Sequence, residues 1–323
     1  MGKFYTKPDK SQWSGRISGK REYLHEKVLL KDLDKGDIFQ YENRAYALLG
    51  YACDEGVKRN SGRPGAVKGP YAIRTELGKM ANHLPEDVQL IDAGNVHCPE
   101  GDLESSQDLL ANMTTKLIKQ GATPLLLGGG HDIAYGHFRG IKSGMEKGNR
   151  LGIINFDAHF DLRSNERGNH SGSPFYQIAN ECSAEGEPFD YLCLGIRKEA
   201  NPPELFETAS RFGVKYVELP EFSISNVTAV KKTIVDFISR VDKVYVTIDM
   251  DGFSSAYSPG VSASSPVGFK PELVFSSLKT IIDSRKLVGL DVAETNPLYD
   301  QDQQTAKLAA GMIYYAIHNL ALL

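Results

Sequence analysis

Three segments of the chain carry residues that chelate cations. LLLGGGHD (125–132) contains His131, IINFDAHFDLR (153–163) contains Asp157, His159 and Asp161, and VYVTIDMDGF (244–253) contains Asp249 and Asp251. Each begins as an apolar run and ends in candidate ligands, the pattern of a buried strand that delivers its last residues to a cleft. Side chains at i, i+2 and i+4 of an extended chain share one face, so Asp157, His159 and Asp161 converge, as do Asp249 and Asp251. Four carboxylates crowded near a core repel one another and cannot all stay ionised. Two divalent cations would cancel that charge. Zinc favours Cys and His, whereas this oxygen-rich set suits manganese or magnesium. Two such cations sharing a water lower its pKa and present hydroxide at neutral pH. A DxHxD motif alone is as readily a solvated turn, and DxD a pair of caps. All three motifs at strand ends favour the metal site.

The elements that must position these residues can be read from the apolar pattern. Strand-like runs fall at Ala45–Tyr51, Val88–Ala93, Pro124–Gly128, Leu151–Asp157, Tyr191–Ile196, Val214–Leu219, Val244–Asp249 and Leu287–Val292. Helical patterns lie between most of them, at Ser105–Gln120, Ala134–Met145, Leu205–Arg211, Val227–Arg240 and Pro271–Ser284. Such alternation predicts βαβ crossovers and a mostly parallel sheet covered on both faces. Ligands of such sheets bind beyond the carboxyl ends of the strands, where GGGH, DAHFD, DMD and VAET all fall. The GGG before His131 lacks the Gly-Lys-Ser/Thr of a phosphate loop and reads as a sharp backbone turn beside the metals. His137 reads as a packed helix residue. No linker or repeat divides the chain, which predicts a polar N-terminal arm over 1–40 and one catalytic domain over 41–323.

GGGHD, DAHFDLR, TIDMDGF and DVAETNP resemble, in order, the signature blocks of the arginase/agmatinase (ureohydrolase) family, and GVKRNSGRPGAVKGPYAIR (56–74) resembles its N-terminal Gly/Arg loop. The resemblance runs from about residue 45 to the C-terminus. It implies a three-layer α/β/α fold with an eight-stranded, mostly parallel sheet of the arginase/deacetylase type, and two Mn²⁺ per chain. Asp157 and Asp249 would bridge the two ions, His131 and Asp161 completing one coordination sphere and His159 and Asp251 the other. Glu294 would hold a cationic amidine or guanidine beside the nucleophile, and Asp161 would shuttle a proton to the leaving nitrogen.

Within that family DAHFDLR has the form found in formimidoylglutamases, with Arg163 where arginases have Asn. A guanidinium is a planar, permanently charged clamp for a carboxylate, suited to a dicarboxylate substrate and repelling a dication. The alternative role for Arg163 is pairing with a local acid such as Glu166. GNHSGSPF (168–175) and FSSAYSPGVSASSP (253–266) resemble the same branch, which places Ser171 and Gly172 at the substrate and leaves His170 without a catalytic role. The activity expected is hydrolysis of N-formimidoyl-L-glutamate to L-glutamate and formamide, a step of histidine degradation. Alternatives are another carboxylate-bearing guanidine or amidine, and a mononuclear zinc deacylase of the same fold.

Bulk properties agree with a small-molecule enzyme. Lys+Arg of 37 against Asp+Glu of 41, a net charge of −4, offers no basic block for nucleic acid. Cys53, Cys98, Cys182 and Cys193 lack CxxC spacing and predict free thiols in a reducing, cytoplasmic setting. Leu308–Leu323 is too short to span a bilayer and reads as an amphipathic helix, so no membrane partner is expected. A homo-oligomer is left open.

Overall fold

Along each central strand, successive side chains enter different cores. Val244, Val246 and Ile248 pack on one side of the sheet and Tyr245 on the other; Leu48 faces one core, Ala47 and Leu49 the other. This alternation between two apolar faces requires helices on both sides. The computed structural model describes residues 2–35 and 44–323. Its strands are β1 (Tyr5–Thr6), β2 (Leu29–Leu30), β3 (Ala45–Ala52), β4 (Gln89–His97), β5 (Ala122–Leu127), β6 (Leu151–Phe156), β7 (Asp190–Ile196), β8 (Lys215–Glu218), β9 (Lys243–Asp249) and β10 (Leu287–Ala293). They form one sheet in the order β1-β4-β3-β5-β10-β9-β6-β7-β8, with β2 also on β4. All pairings among β3 to β10 are parallel and β1 is antiparallel. The expected eight strands are β3 to β10 with slightly shifted ends; the N-terminal segment raises the count to the ten strands observed.

The helices are α1 (Leu24–Lys27), α2 (Glu55–Arg59), α3 (Gly69–Gly78), α4 (Leu103–Lys119), α5 (Ile133–Gly144), α6 (Pro174–Glu185), α7 (Pro203–Arg211), α8 (Val227–Ile238), α9 (Pro271–Asp283) and α10 (Gln304–Leu320). One face of the sheet is covered by α3, α8, α9 and α10, the other by α4 to α7, so the layering is α/β/α. Helix α10 buries Ala309, Met312, Ile313, Ala316 and Ile317, the stripe its spacing predicts. Among the described residues no helix is long and apolar enough to cross a membrane. Helix α6 is absent from the expected set although Phe175, Ile178, Ala179 and Cys182 are buried at helical spacing.

Two expectations need correction. The N-terminal segment is no polar arm: Trp13, Leu24, Val28 and Leu33 are buried, Tyr5 pairs with Val96 and Leu29 with Ile91. The Trp13 indole donates to Asp92 Oδ2 at 2.7 Å, and Asp92 Oδ1 receives buried Arg74 at 2.8 Å. The anchors stand singly in polar sequence, which is why no periodicity reveals them. The expected boundary at 40/41 lies outside the described residues. The second correction concerns 56–74, which is not all loop: Glu55–Arg59 and Gly69–Gly78 are helical, the latter opened by Pro at its first turn.

Candidate active site

Register brings the expected ligands together. β5, β10, β9 and β6 are consecutive neighbours. Phe156 is level with Ile248, Ala293 with Asp249, and Val292 with Leu127. The residues that follow these positions therefore emerge side by side at the carboxyl edge. Asp157 and Asp249 then turn the chain. Asp157 Oδ1 accepts the His159 N–H at 2.7 Å and Asp249 Oδ1 the Asp251 N–H at 2.8 Å, two Asx turns that fix the carboxylates and aim the next ligand. Convergence thus comes from these turns rather than from one face of an extended strand. Asp161 lies beyond the strand in left-handed backbone, φ 48°, as does Glu294, φ 63°, a strained conformation that surrounding structure must impose.

The side chains fall into two groups sharing Asp157. His131, Asp157, Asp161 and Asp249 form one, and Asp157, His159 and Asp251 the other. His131 Nδ1 lies 2.9 Å from Asp161 Oδ2, 3.0 Å from Asp249 Oδ2 and 3.2 Å from Asp157 Oδ2. His159 Nδ1 is 3.4 Å from both Asp157 Oδ1 and Asp251 Oδ1. Asp249 belongs to the first group alone. His131 Nδ1, Asp251 Oδ1 and Glu294 Oε2 are buried without a hydrogen-bond partner. Orphaned donor atoms of this hard, oxygen-rich kind are what a pair of divalent cations satisfies.

With protein charges alone the site is frustrated. Burial, then the charges of Asp251 and Asp157, pushes the Asp249 carboxyl well above the usual range; burial, then Asp249 and Asp251, does the same to Glu294. Burial and Asp157 raise Asp161. Burial would lower His131, but the surrounding carboxylates outweigh it and hold its pKa well above the ordinary imidazole value. Protons do here what cations would do better.

The glycines before His131 serve close approach rather than a left-handed turn, since none has positive φ. A Cβ on Gly129 would stand 1.8 Å from Cys53 O, and one on Gly128 2.5 Å from Val292 O. This contact lets Glu294 Oε1 accept the His131 N–H at 3.0 Å.

A cavity of about 360 Å³ opens over these groups, with His159, Asp161, Asp251 and Glu294 at its floor and Asn60, Arg163 and Ser171 on its wall. Arg163 is exposed and pairs with no carboxylate among the described residues, Glu166 included. Its backbone N–H donates to Gly172 O at 2.9 Å, and a Cβ on Gly172 would crowd its side chain at 3.1 Å. The Ser171 N–H donates to Gly56 O at 3.0 Å, and Asn60 Nδ2 donates to Ser171 Oγ at 3.2 Å. His170 lines a separate outer hollow beside Arg163. His137 lies in α5, fully buried. Asn60, Asn155 and Thr247 are site neighbours that motif reading overlooks; Asn155 Nδ2 donates to Asp157 Oδ2 at 3.0 Å. For Asn155 and Thr247 a usable signal exists, a polar residue inside an otherwise apolar buried strand.

The arginase family model matches residues 44–318. A formimidoylglutamase of Geobacillus sp. strain WCH70 is 40% identical over 317 residues, covering 97% of this chain and 96% of that protein. The formimidoylglutamase of Clostridium tetani is 38% identical over 330 residues, covering 99% and 98%. Among solved structures, the formimidoylglutamase of Bacillus subtilis superposes with a TM-score of 0.81 at 21% identity, covering 96% of this chain and 95% of its own.

Proposed function

The chain belongs to the arginase family, and on that premise we propose that it hydrolyses N-formimidoyl-L-glutamate to L-glutamate and formamide. The observation that carries this reading is near-full-length identity to proteins named formimidoylglutamase. The Arg163 guanidinium, which pairs with no carboxylate among the described residues, lines the same cavity as the candidate ligands and supports it. His131, Asp157, His159, Asp161, Asp249 and Asp251 would hold two divalent cations, manganese by the hardness of the donors, and these would supply Lewis acidity and a water-derived nucleophile at neutral pH.

The chain's own residues bind, orient and move protons. Glu294 grips the terminal imino nitrogen, which fixes the formimidoyl carbon and stabilises the amidinium charge. Arg163 takes a carboxylate of the glutamate moiety in a bidentate contact, with Ser171 and the Gly172 segment beside it. Water adds to the formimidoyl carbon, and the bond from that carbon to the glutamate nitrogen breaks. Asp161 delivers the proton that nitrogen needs. The imino nitrogen stays with the carbon as formamide. Free thiols at all four cysteines suit a cytoplasmic setting, and the products suit histidine degradation.

The test is a panel of amidines and guanidines assayed with added Mn²⁺. Formamide and glutamate should appear together and selectively from formimidoylglutamate. Free ammonia with formylglutamate would overturn the orientation, and faster turnover of arginine or agmatine would overturn the substrate.

A further inference from the structure

Behind His131, on the side away from the cavity, lies a polar chain that the proposed chemistry does not use. His131 Nε2 is 2.9 Å from Thr247 Oγ1. The Thr247 hydroxyl donates to Asp291 Oδ1 at 2.5 Å. Asp291 Oδ2 receives the Tyr245 hydroxyl at 2.5 Å and faces His137 Nδ1 at 2.6 Å. Asp291, Thr247, Tyr245 and His137 have no exposed surface, and His131 has 1%. These residues come from β9, β10 and α5, so strand register and a covering helix must both be in place to assemble them.

We propose that Asp291, acting through Thr247, is a positioning residue that sets the tautomer of the candidate metal ligand His131. A carboxylate only accepts, and a threonine hydroxyl has one hydrogen. Asp291 takes that hydrogen, so Thr247 Oγ1 has only lone pairs left for His131 Nε2. Once the ring is neutral, as a cation ligand must be, the imidazole therefore keeps its hydrogen on Nε2, which leaves the Nδ1 lone pair aimed at Asp157, Asp161 and Asp249. Without the relay, those same carboxylates would draw the hydrogen onto Nδ1 and occupy the lone pair a cation needs. Tyr245 and His137 keep Asp291 an acceptor. Because the Asp291 carboxylate only accepts, the His137 hydrogen sits on Nδ1 and points at it, and the buried Nε2 is left without a partner. The two poles of the site differ here. Among the described residues no hydrogen bond engages His159 Nε2, and the His159 side chain is 21% exposed. Partners that orient ligating histidines in this way are worth roughly ten- to a hundredfold in metal affinity.

The inference rests on the metal-centre part of the proposed function and is independent of the substrate. The experiment compares wild type, Thr247→Val and Thr247→Ser by titrating metal-free protein with Mn²⁺ and reading free Mn²⁺ by electron paramagnetic resonance. Nitrogen-15 spectra of labelled histidine in the metal-free proteins, recorded at a pH where the His131 ring carries a single hydrogen, report its tautomer. Wild type should bind about two Mn²⁺. Thr247→Val should weaken one of them roughly ten- to a hundredfold and leave the other, with His131 shifted toward the Nδ1–H form; Thr247→Ser should restore both. Equal affinities in wild type and Thr247→Val, an unchanged His131 tautomer, or a loss that Ser fails to restore would overturn the proposal. If Thr247→Val does not fold, Asp291→Asn read by the same spectra replaces it, and an unshifted tautomer there is equally fatal. Wild type that binds no Mn²⁺ would instead overturn the metal centre itself, a distinguishable result.

Discussion

The floor and the rim of the cavity are built by different means. Asp157 and Asp249 stand at the ends of central parallel strands, are almost wholly buried, and are each clamped by an N–H two residues on. The rim is assembled from connections. Asn60 follows α2, Arg163 and Ser171 lie in the stretch between β6 and α6, and these pieces hold one another by loop-to-loop hydrogen bonds. Charge geometry for catalysis tolerates little displacement, so it is tied to strand register. Recognition of a substrate's remote end can rest on one long side chain, and loops can change it without touching the chemistry. Floor substitutions should therefore damage every substrate alike, and rim substitutions only those with carboxylates.

The largest expected effect is at the residue both ligand groups share. Asp157→Asn should cost more than the roughly hundredfold typical of an outer-shell change, removing metal and abolishing turnover of formimidoylglutamate and formamidine together; metal analysis alongside both assays checks this. Wild-type metal content with activity kept would erase the distinction between floor and rim. The same floor predicts a pH effect with a definite sign. Burial and neighbouring carboxylates raise Asp249, so its proton competes with the cation over a wider range than an ordinary aspartate's would. Apparent Mn²⁺ affinity should fall as pH is lowered, and calorimetry in buffers of different ionisation enthalpy should show proton release on binding. Next in size is Glu294→Gln, which keeps an acceptor for the His131 N–H but removes the charge. Metals should stay while kcat drops about 10²- to 10³-fold on both substrates.

The floor was legible in sequence and the rim only through resemblance, for a physical reason. A strand that ends in Asp-x-His-x-Asp advertises itself because apolar residues and ligands adjoin. Parallel neighbours then bring such ends together whatever lies between them in sequence. The turns that aim His159 and Asp251 leave no pattern beyond the aspartates themselves, hence the expectation of an extended face. Ser171 meets Asn60 across 111 residues, a proximity that no local periodicity encodes. Trp13 and Asp92 are likewise joined across 79, so the segment ahead of the parallel sheet read as an arm. Thr247 and Asp291 show the intermediate case, visible as polar residues in buried strands but linked to His131 only once register is known.

At the rim, Arg163→Ala should raise KM for formimidoylglutamate and lower kcat/KM roughly ten- to a hundredfold, the loss expected for a charge-assisted contact. Both metals should remain and formamidine should be hydrolysed as before. Arg163→Lys should recover part of the loss, because an ammonium cannot reproduce the two-pronged contact. Equal losses on both substrates would make Arg163 part of the floor.

The smallest effect belongs to Ser171. Its Oγ accepts from Asn60 Nδ2, which leaves the hydroxyl hydrogen for an anion in the cavity that Ser171 and Arg163 both line. One neutral donor exchanged for water nets about 0.5–1.5 kcal/mol, so Ser171→Ala should lower kcat/KM about two- to tenfold, through KM. Arg163 and Ser171 approach the same substrate end, so their effects need not add. If both hold one carboxylate, Ser171→Ala in the Arg163→Ala background should cost clearly less than alone, because the anion is no longer fixed where the hydroxyl can reach it. Full additivity would assign the two residues to different carboxylates of the glutamate moiety.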